Sequence, residues 1–94
     1  MELEWDDRKN RLNIAKHGID FADAWRIFAK SMLIRQDTRK EYRETRWIAL
    51  GDLKGIIVVL VFTIRGEKTR IISIRKGNKH ERQIYRAEIR TQPH

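Results

Sequence analysis

The spacing of hydrophobic residues divides the chain into a helical first third and a strand-rich remainder. Residues 2–5 alternate between acidic and apolar, which predicts a short strand with one buried face. Asp6 has the side chain of an N-cap for a first helix, and Gly18 is placed to end that helix in a left-handed conformation. A second helix is expected to begin at Asp20, and the two together predict an αα-hairpin. The residues at helical spacing that we expect to be buried are Leu12, Ala15 and Ile19, then Phe21, Ala24, Trp25 and Phe28.

From residue 32 onward the hydrophobic period changes to two, which is typical of strands. Strands are expected over 32–35, 46–51, 56–65 and 69–75. The segment 56–65 is apolar at successive positions, which predicts a central strand covered on both sides. Asn78 and Glu81 have the spacing of a capping box for a last helix. The predicted fold class is α+β: a small twisted antiparallel sheet with an N-terminal αα-hairpin and a C-terminal helix, in the order β-α-α-β-β-β-β-α.

Composition limits the domain organisation and the cellular setting. The chain has 94 residues, of which 40% are hydrophobic, so we expect one domain over 1–90 and a frayed tail at 91–94. No apolar run approaches the roughly 20 residues that span a membrane, and the first residues do not resemble a secretory signal. The absence of cysteine excludes disulfides, thiol catalysis and cysteine-ligated metals. We therefore expect a cytoplasmic protein with no membrane partner.

The positive charge is concentrated in one part of the chain. The formal net charge is +8, and residues 35–94 carry all of it, with fifteen basic residues against seven acidic ones. A one-sided basic surface favours a polyanionic partner such as a nucleic acid, because each neutralised phosphate releases counterions. An ordinary solvated surface and a patch for an acidic protein are the alternatives.

Three arginines near one hairpin are the main candidates for anion binding. Arg65, Arg70 and Arg75 each carry a permanently charged fork that matches two phosphate oxygens. If 66–69 form the loop, Arg65 and Arg70 face each other. Regular alternation places Arg70 and Arg75 on opposite faces, so the three share a face only through a bulge or a strand end. The alternative is a charged strand edge that prevents aggregation. Further basic residues that could follow a phosphate backbone are Lys16, Lys76, Lys79 and Arg82.

Two other side chains are candidates for catalysis. His17, at the end of the first helix, either stabilises the terminal carbonyls or exchanges a proton near neutral pH. Tyr85 either packs in the core with its hydroxyl at the rim or takes part in catalysis. The chain has no histidine pair at metal-ligand spacing and no glycine-rich phosphate loop, so we expect no metal and no cofactor. The three tryptophans are expected in the core.

Several motifs are similar to those of a known family. The segments at 4–6, 16–21, 46–51 and 70–76, followed by Glu81, Arg82 and Tyr85, resemble the BrnT toxin family in order and spacing. This resemblance implies a small ribonuclease toxin of a type II toxin–antitoxin system with a RelE-like fold. It also implies an antitoxin, BrnA, a DNA-binding protein of the ribbon-helix-helix kind that neutralises the toxin and represses the operon. The toxin would then reach DNA only through the antitoxin.

The residues and the resemblance together predict a metal-independent endoribonuclease that inhibits translation. The 2′-oxygen would attack the adjacent phosphorus and leave a 2′,3′-cyclic phosphate. We expect a catalytic set of His17, Arg65, Arg70, Arg75 and Tyr85, and RNA-backbone contacts from Lys16, Lys76, Lys79 and Arg82. The alternative function is a non-catalytic basic module that binds RNA or an acidic protein, and the lack of a second histidine within a motif favours it.

Overall fold

The computed structural model describes residues 1–91, and the predicted succession of elements is largely present. The elements are β1 (Glu2–Glu4), α1 (Asp7–His17), a 3₁₀ turn (Phe21–Asp23) that leads into α2 (Ala24–Phe28), β2 (Leu33–Gln36), β3 (Arg46–Leu53), β4 (Ile56–Arg65), β5 (Lys68–Lys76) and α3 (Lys79–Thr91). Of the tail expected to fray, Thr91 is the last residue of α3 and residues 92–94 lie outside the described residues.

The five strands form one mixed sheet in the order β1-β5-β4-β3-β2. β1 runs parallel to β5, whereas the other neighbours are antiparallel. The expectation of a purely antiparallel sheet is therefore wrong. The reason is long-range, because the first strand pairs with the last one and alternation within residues 2–5 carries no information about that partner.

Two tight hairpins set the register of the central strands. Lys54 and Gly55 form the loop between β3 and β4 with positive φ angles of 54° and 88°. Two residues, Gly66 and Glu67, join β4 to β5, and Gly66 has a φ of 61°. This loop is shorter than the four-residue loop over 66–69 that the sequence analysis considered. As a result Arg65 pairs with Lys68, while Arg70 pairs with Thr63, so Arg65 and Arg70 do not face each other.

β5 contains one extra residue, and this changes the direction of its side chains. Ile71 pairs with Phe62 and Ser73 pairs with Val61, which leaves Ile72 without a partner in β4. Ile71 packs in the core beneath the helices, whereas Ile72 packs on the opposite side of the sheet. A bulge of this kind shifts the alternation by one position. Arg70 and Arg75 therefore lie on the same face of the sheet. A bulge is one of the two irregularities that the sequence analysis required for this.

The larger core lies between the sheet and the segment that contains α2. Phe21, Ala24 and Ile27 are fully buried there against strand residues. β3 approaches α2 closely at Gly51, where a Cβ atom would lie 2.5 Å from Cγ2 of Ile27. Trp25 does not contribute as predicted, because it is 55% exposed and Arg26 stacks on its ring. Trp5 and Trp47 are partly buried against this core.

α1 is anchored by a polar side chain instead of an apolar stripe. Leu12 is 64% exposed and Ala15 is exposed, so their predicted burial is wrong, whereas Asn13 is buried. The Asn13 amide nitrogen donates to the carbonyls of Ile19 and Ile74 (both 2.9 Å), and its oxygen accepts from the Ile74 N–H (3.2 Å).

The Asn13 amide makes the hydrogen bonds that a neighbouring strand would otherwise make to this edge of β5. β1 covers only the Lys68–Arg70 part of β5, and Asn13 satisfies the edge farther along. α1 thus packs on β5 while α2 packs on β3.

Replacing Asn13 with alanine should destabilise the fold strongly. The change leaves the N–H and carbonyl of Ile74 without partners at a buried edge, which we expect to lower the unfolding free energy by about 2–4 kcal/mol. Leu12→Ala in the same helix is the control and should change it by less than about 0.5 kcal/mol. Urea unfolding measures both values, and equal effects of the two substitutions would contradict the proposed anchor.

Candidate functional site

The side of the sheet opposite α2 carries a group of arginines from four strands. Residues paired across neighbouring strands point to the same face, so the register defines this group. Val59 and Val61 of β4 mark the face, with Ile48 of β3 beside them in the smaller apolar cluster. The arginines on this face, which we call the arginine face, are Arg35, Arg46, Arg65, Arg70 and Arg75.

Arg75 is fixed at the junction of β5 and α3. Its two terminal nitrogens donate to the two carboxylate oxygens of Glu81, both at 2.8 Å. Glu81 and Asn78 also exchange backbone-to-side-chain hydrogen bonds of 2.8 Å, which confirms the predicted capping box. The hydrogen bonds from Arg75 are the main cause of the lowered pKa of Glu81, and those to Glu81 raise the pKa of Arg75. Arg75 therefore holds a permanent charge in one orientation.

Other arginines of this face also have carboxylate partners. Arg70 lies 3.6 Å from Glu4, which joins β5 to β1, and Arg46 lies 3.3 Å from Glu44. The side chain of Arg35 has no ion pair or hydrogen bond with the described residues, and the same holds for the side chain of Arg65. The arginine face thus combines guanidinium groups that carboxylates orient with guanidinium groups that have no partner among the described residues.

A polar cluster that sequence reasoning missed lies in the connection between β2 and β3. Asp37 is buried and accepts hydrogen bonds from Arg39 at Nε and Nη2, both 2.8 Å long. The Tyr42 hydroxyl also donates to Asp37 (3.1 Å), and the Arg46 guanidinium lies 4.1 Å from the centre of the Tyr42 ring. Arg39 holds the pKa of Asp37 far below its usual range. The sequence predicts only a polar loop here, since no periodicity marks a buried carboxylate.

His17 and Tyr85 belong to helices and not to the strands that carry the arginines. His17 is the last residue of α1. The next residues, Gly18 and Ile19, border a cleft with Val58 on the face of the sheet that α2 covers. Tyr85 is buried, its hydroxyl donates to the carbonyl of Ser31 (2.9 Å), and burial raises its pKa. This contact holds α3 against the segment before β2, in agreement with the core-packing alternative.

The four basic residues expected to follow the RNA backbone are spread around one end of the molecule. Lys76 pairs with Val58 and therefore points to the face of the sheet that α2 covers. Lys16 and Lys79 are exposed in the last turn of α1 and at the start of α3. Arg82 donates to the carbonyl of Gly77 (2.9 Å), which reinforces the first turn of α3. Lys76, Lys79 and Arg82 follow Arg75 closely in the chain, but none of the four residues belongs to the arginine face.

Over residues 1–91 no cluster of three or more potential ligand residues could hold a metal ion. In the same part of the chain no helix has the length and apolarity that crossing a membrane requires.

A small α+β protein that orients several guanidinium groups on one sheet face has the features of a polyanion-binding protein. A family model described as the ribonuclease toxin BrnT of a type II toxin–antitoxin system matches residues 5–81, and the chain belongs to this family. The resemblance found in the sequence is thereby confirmed. Membership implies RNA as substrate and an antitoxin as partner. A comparison with curated proteins gave no match.

Proposed function

We propose that this toxin is an endoribonuclease whose cleavage site is the arginine face. The observation that carries the proposal is the bulge at Ile72, which brings Arg70 and Arg75 to one face with three further arginines. Guanidinium groups bind two phosphate oxygens at once, so such a face suits the RNA backbone. The matched segment of the family includes all five arginines.

The proposed reaction is attack of the ribose 2′-oxygen on the adjacent phosphorus. The 2′-hydroxyl gives up a proton, the bond to the 5′-oxygen breaks, and that oxygen takes up a proton. The products are a 2′,3′-cyclic phosphate and a 5′-hydroxyl. Negative charge builds up on the phosphoryl oxygens in the transition state, where Arg75 and Arg70 stabilise it. The substrate supplies its own nucleophile, so this route requires no metal in principle.

The antitoxin is proposed to act on the same surface. We infer a BrnA-like ribbon-helix-helix protein that binds DNA with one part and places an acidic segment on the arginine face with the other. The support is internal to the chain, because Arg70, Arg75 and Arg46 already form ion pairs with carboxylates there. Carboxylates and phosphates suit the same fork, so an acidic segment would exclude RNA.

Arg75→Ala should reduce RNA cleavage on the order of 10²–10³-fold, the effect of removing one group that stabilises transition-state charge. Arg11→Ala removes the same charge from exposed α1 and should leave the rate nearly unchanged. Glu81→Gln disturbs the ion pair of Arg75 but keeps its charge, so it should reduce the rate far less. Single-turnover cleavage of labelled RNA compares the three variants. Equal losses for Arg75→Ala and Glu81→Gln would assign Arg75 a structural role only.

Cleavage should persist in excess EDTA and fall steeply with salt. The reason is that the proposed site uses arginines, and binding to them releases counterions from RNA. Mapping the end groups of the product should find the cyclic phosphate. Activity that returns only with a divalent ion would overturn the mechanism, and tight RNA binding without cleavage would favour the binding-module alternative.

Proton transfer by His17 is the part of the proposal that rests on the sequence alone, because the end of α1 lies at a cleft on the face opposite the arginine face. We expect His17→Gln to lower the cleavage rate on the order of 10²–10⁴-fold and to leave RNA affinity unchanged. His80→Gln is the matched control, since His80 is an exposed residue in the first turn of α3 beside Glu81. Loss of activity in the His80 variant alone would transfer the proton step to the arginine face.

A further inference from the structure

The cluster around Asp37 has a property that the fold does not require. The Asp37 side chain is only 1% exposed, whereas its partner Arg39 is 60% exposed. The carboxylate accepts three hydrogen bonds from Arg39, counting its backbone N–H, and one from Tyr42. Burying a carboxylate is costly, and such ion pairs seldom stabilise a fold more than apolar residues of similar size. The result of the arrangement is an exposed guanidinium held in one orientation.

The position of the cluster places this guanidinium over the arginine face. The Asp37 N–H donates to the carbonyl of Arg46 (2.8 Å), which continues the pairing of β2 with β3. Asp37 is thus in line with Arg46 and points to the same face. The cluster also reaches Arg46, because the Tyr42 hydroxyl donates to Asp37 (3.1 Å) and the Tyr42 ring centre lies 4.1 Å from the Arg46 guanidinium. Arg39 is therefore oriented at the end of the arginine face where Arg46 lies, and its planar fork suits a phosphate there.

We propose that Arg39 binds a phosphodiester group of the RNA backbone at the Arg46 end of the arginine face, with Asp37 and Tyr42 as positioning residues for Arg39. The proposal rests on the proposed function, because it adds a further guanidinium to the same face. Arg39 donates to Asp37 through Nε and Nη2, so Nη1 is free to contact the phosphate. Tyr42 donates to the same Asp37 oxygen that binds Nη2 of Arg39, and it packs against Arg46, which stiffens the connection.

The test measures binding of an RNA oligonucleotide in which every 2′-hydroxyl is methylated, so that cleavage cannot occur. The double variant Asp37→Asn/Arg39→Gln removes the ion pair without a buried charge and keeps the net charge at +8. The control Arg43→Ala lowers the net charge by one at an exposed position of the same connection. We expect the double variant to bind about tenfold more weakly and the salt dependence of log K to fall by about 0.7. The control Arg43→Ala should match the wild type in both RNA affinity and salt dependence.

Long-range attraction alone would give the opposite order, because only the control loses net charge. Thermal unfolding verifies that each variant is folded. Arg39→Lys provides a second measurement: it keeps the charge beside Asp37 but not the planar fork, so we expect weaker binding with an unchanged salt dependence.

The outcomes separate this proposal from the proposed function. If Arg75→Ala weakens binding and the double variant does not, the Arg39 contact is wrong and the arginine face remains the RNA site. If neither variant weakens binding, both proposals fail. If the double variant binds the methylated RNA normally but loses affinity for a polyglutamate peptide, the cluster serves a protein partner and the phosphate assignment is overturned.

Discussion

The extra residue in β5 determines which side of the sheet carries the arginines. In an unbroken strand Arg70 and Arg75 are an odd number of positions apart and point to opposite faces. Ile72 occupies one position without a partner in β4, and this extra position brings Arg70 and Arg75 to the same face. Its side chain packs on Val59 and Val61, and Asn13 binds the strand two residues later. The site therefore depends on an irregularity that both sides of the sheet hold in place.

Clustering guanidinium groups on one face carries an electrostatic cost, and the fold offsets it with carboxylates. The pairs are Arg39–Asp37, Arg46–Glu44, Arg70–Glu4 and Arg75–Glu81. Apart from Arg39–Asp37, whose carboxylate is buried, both members of each pair are partly exposed, and such pairs contribute little to stability. Their effect is to reduce the freedom of long side chains before a ligand arrives, so less conformational entropy is lost on binding. The face is thus organised in advance while the protein stays strongly basic.

Local chemistry made parts of this structure predictable. The N-cap Asp6, the left-handed Gly18 and the Asn78–Glu81 box depend on neighbouring backbone groups, and all are present. The bounds of β4 follow from its continuous apolar run. The burial of Asn13 could not be predicted, because its partner Ile74 lies 61 positions away in the chain. The helical pattern alone favours an apolar residue as the buried anchor of α1. Asp37 and Arg39 were missed for a related reason: a charged pair near a turn has the same sequence pattern whether buried or solvated.

A carboxylate clamp also leaves an arginine able to bind a second anion. A guanidinium has five N–H groups. Arg75 uses three of them, two on Glu81 and one on the carbonyl of Lys76, so two remain. A phosphate can bind to those two without displacing Glu81, whereas a competing acidic segment must match several such positions at once. Under the proposed function, the spacing of the clamped arginines, more than their number, favours an extended polyanion over a single acidic group.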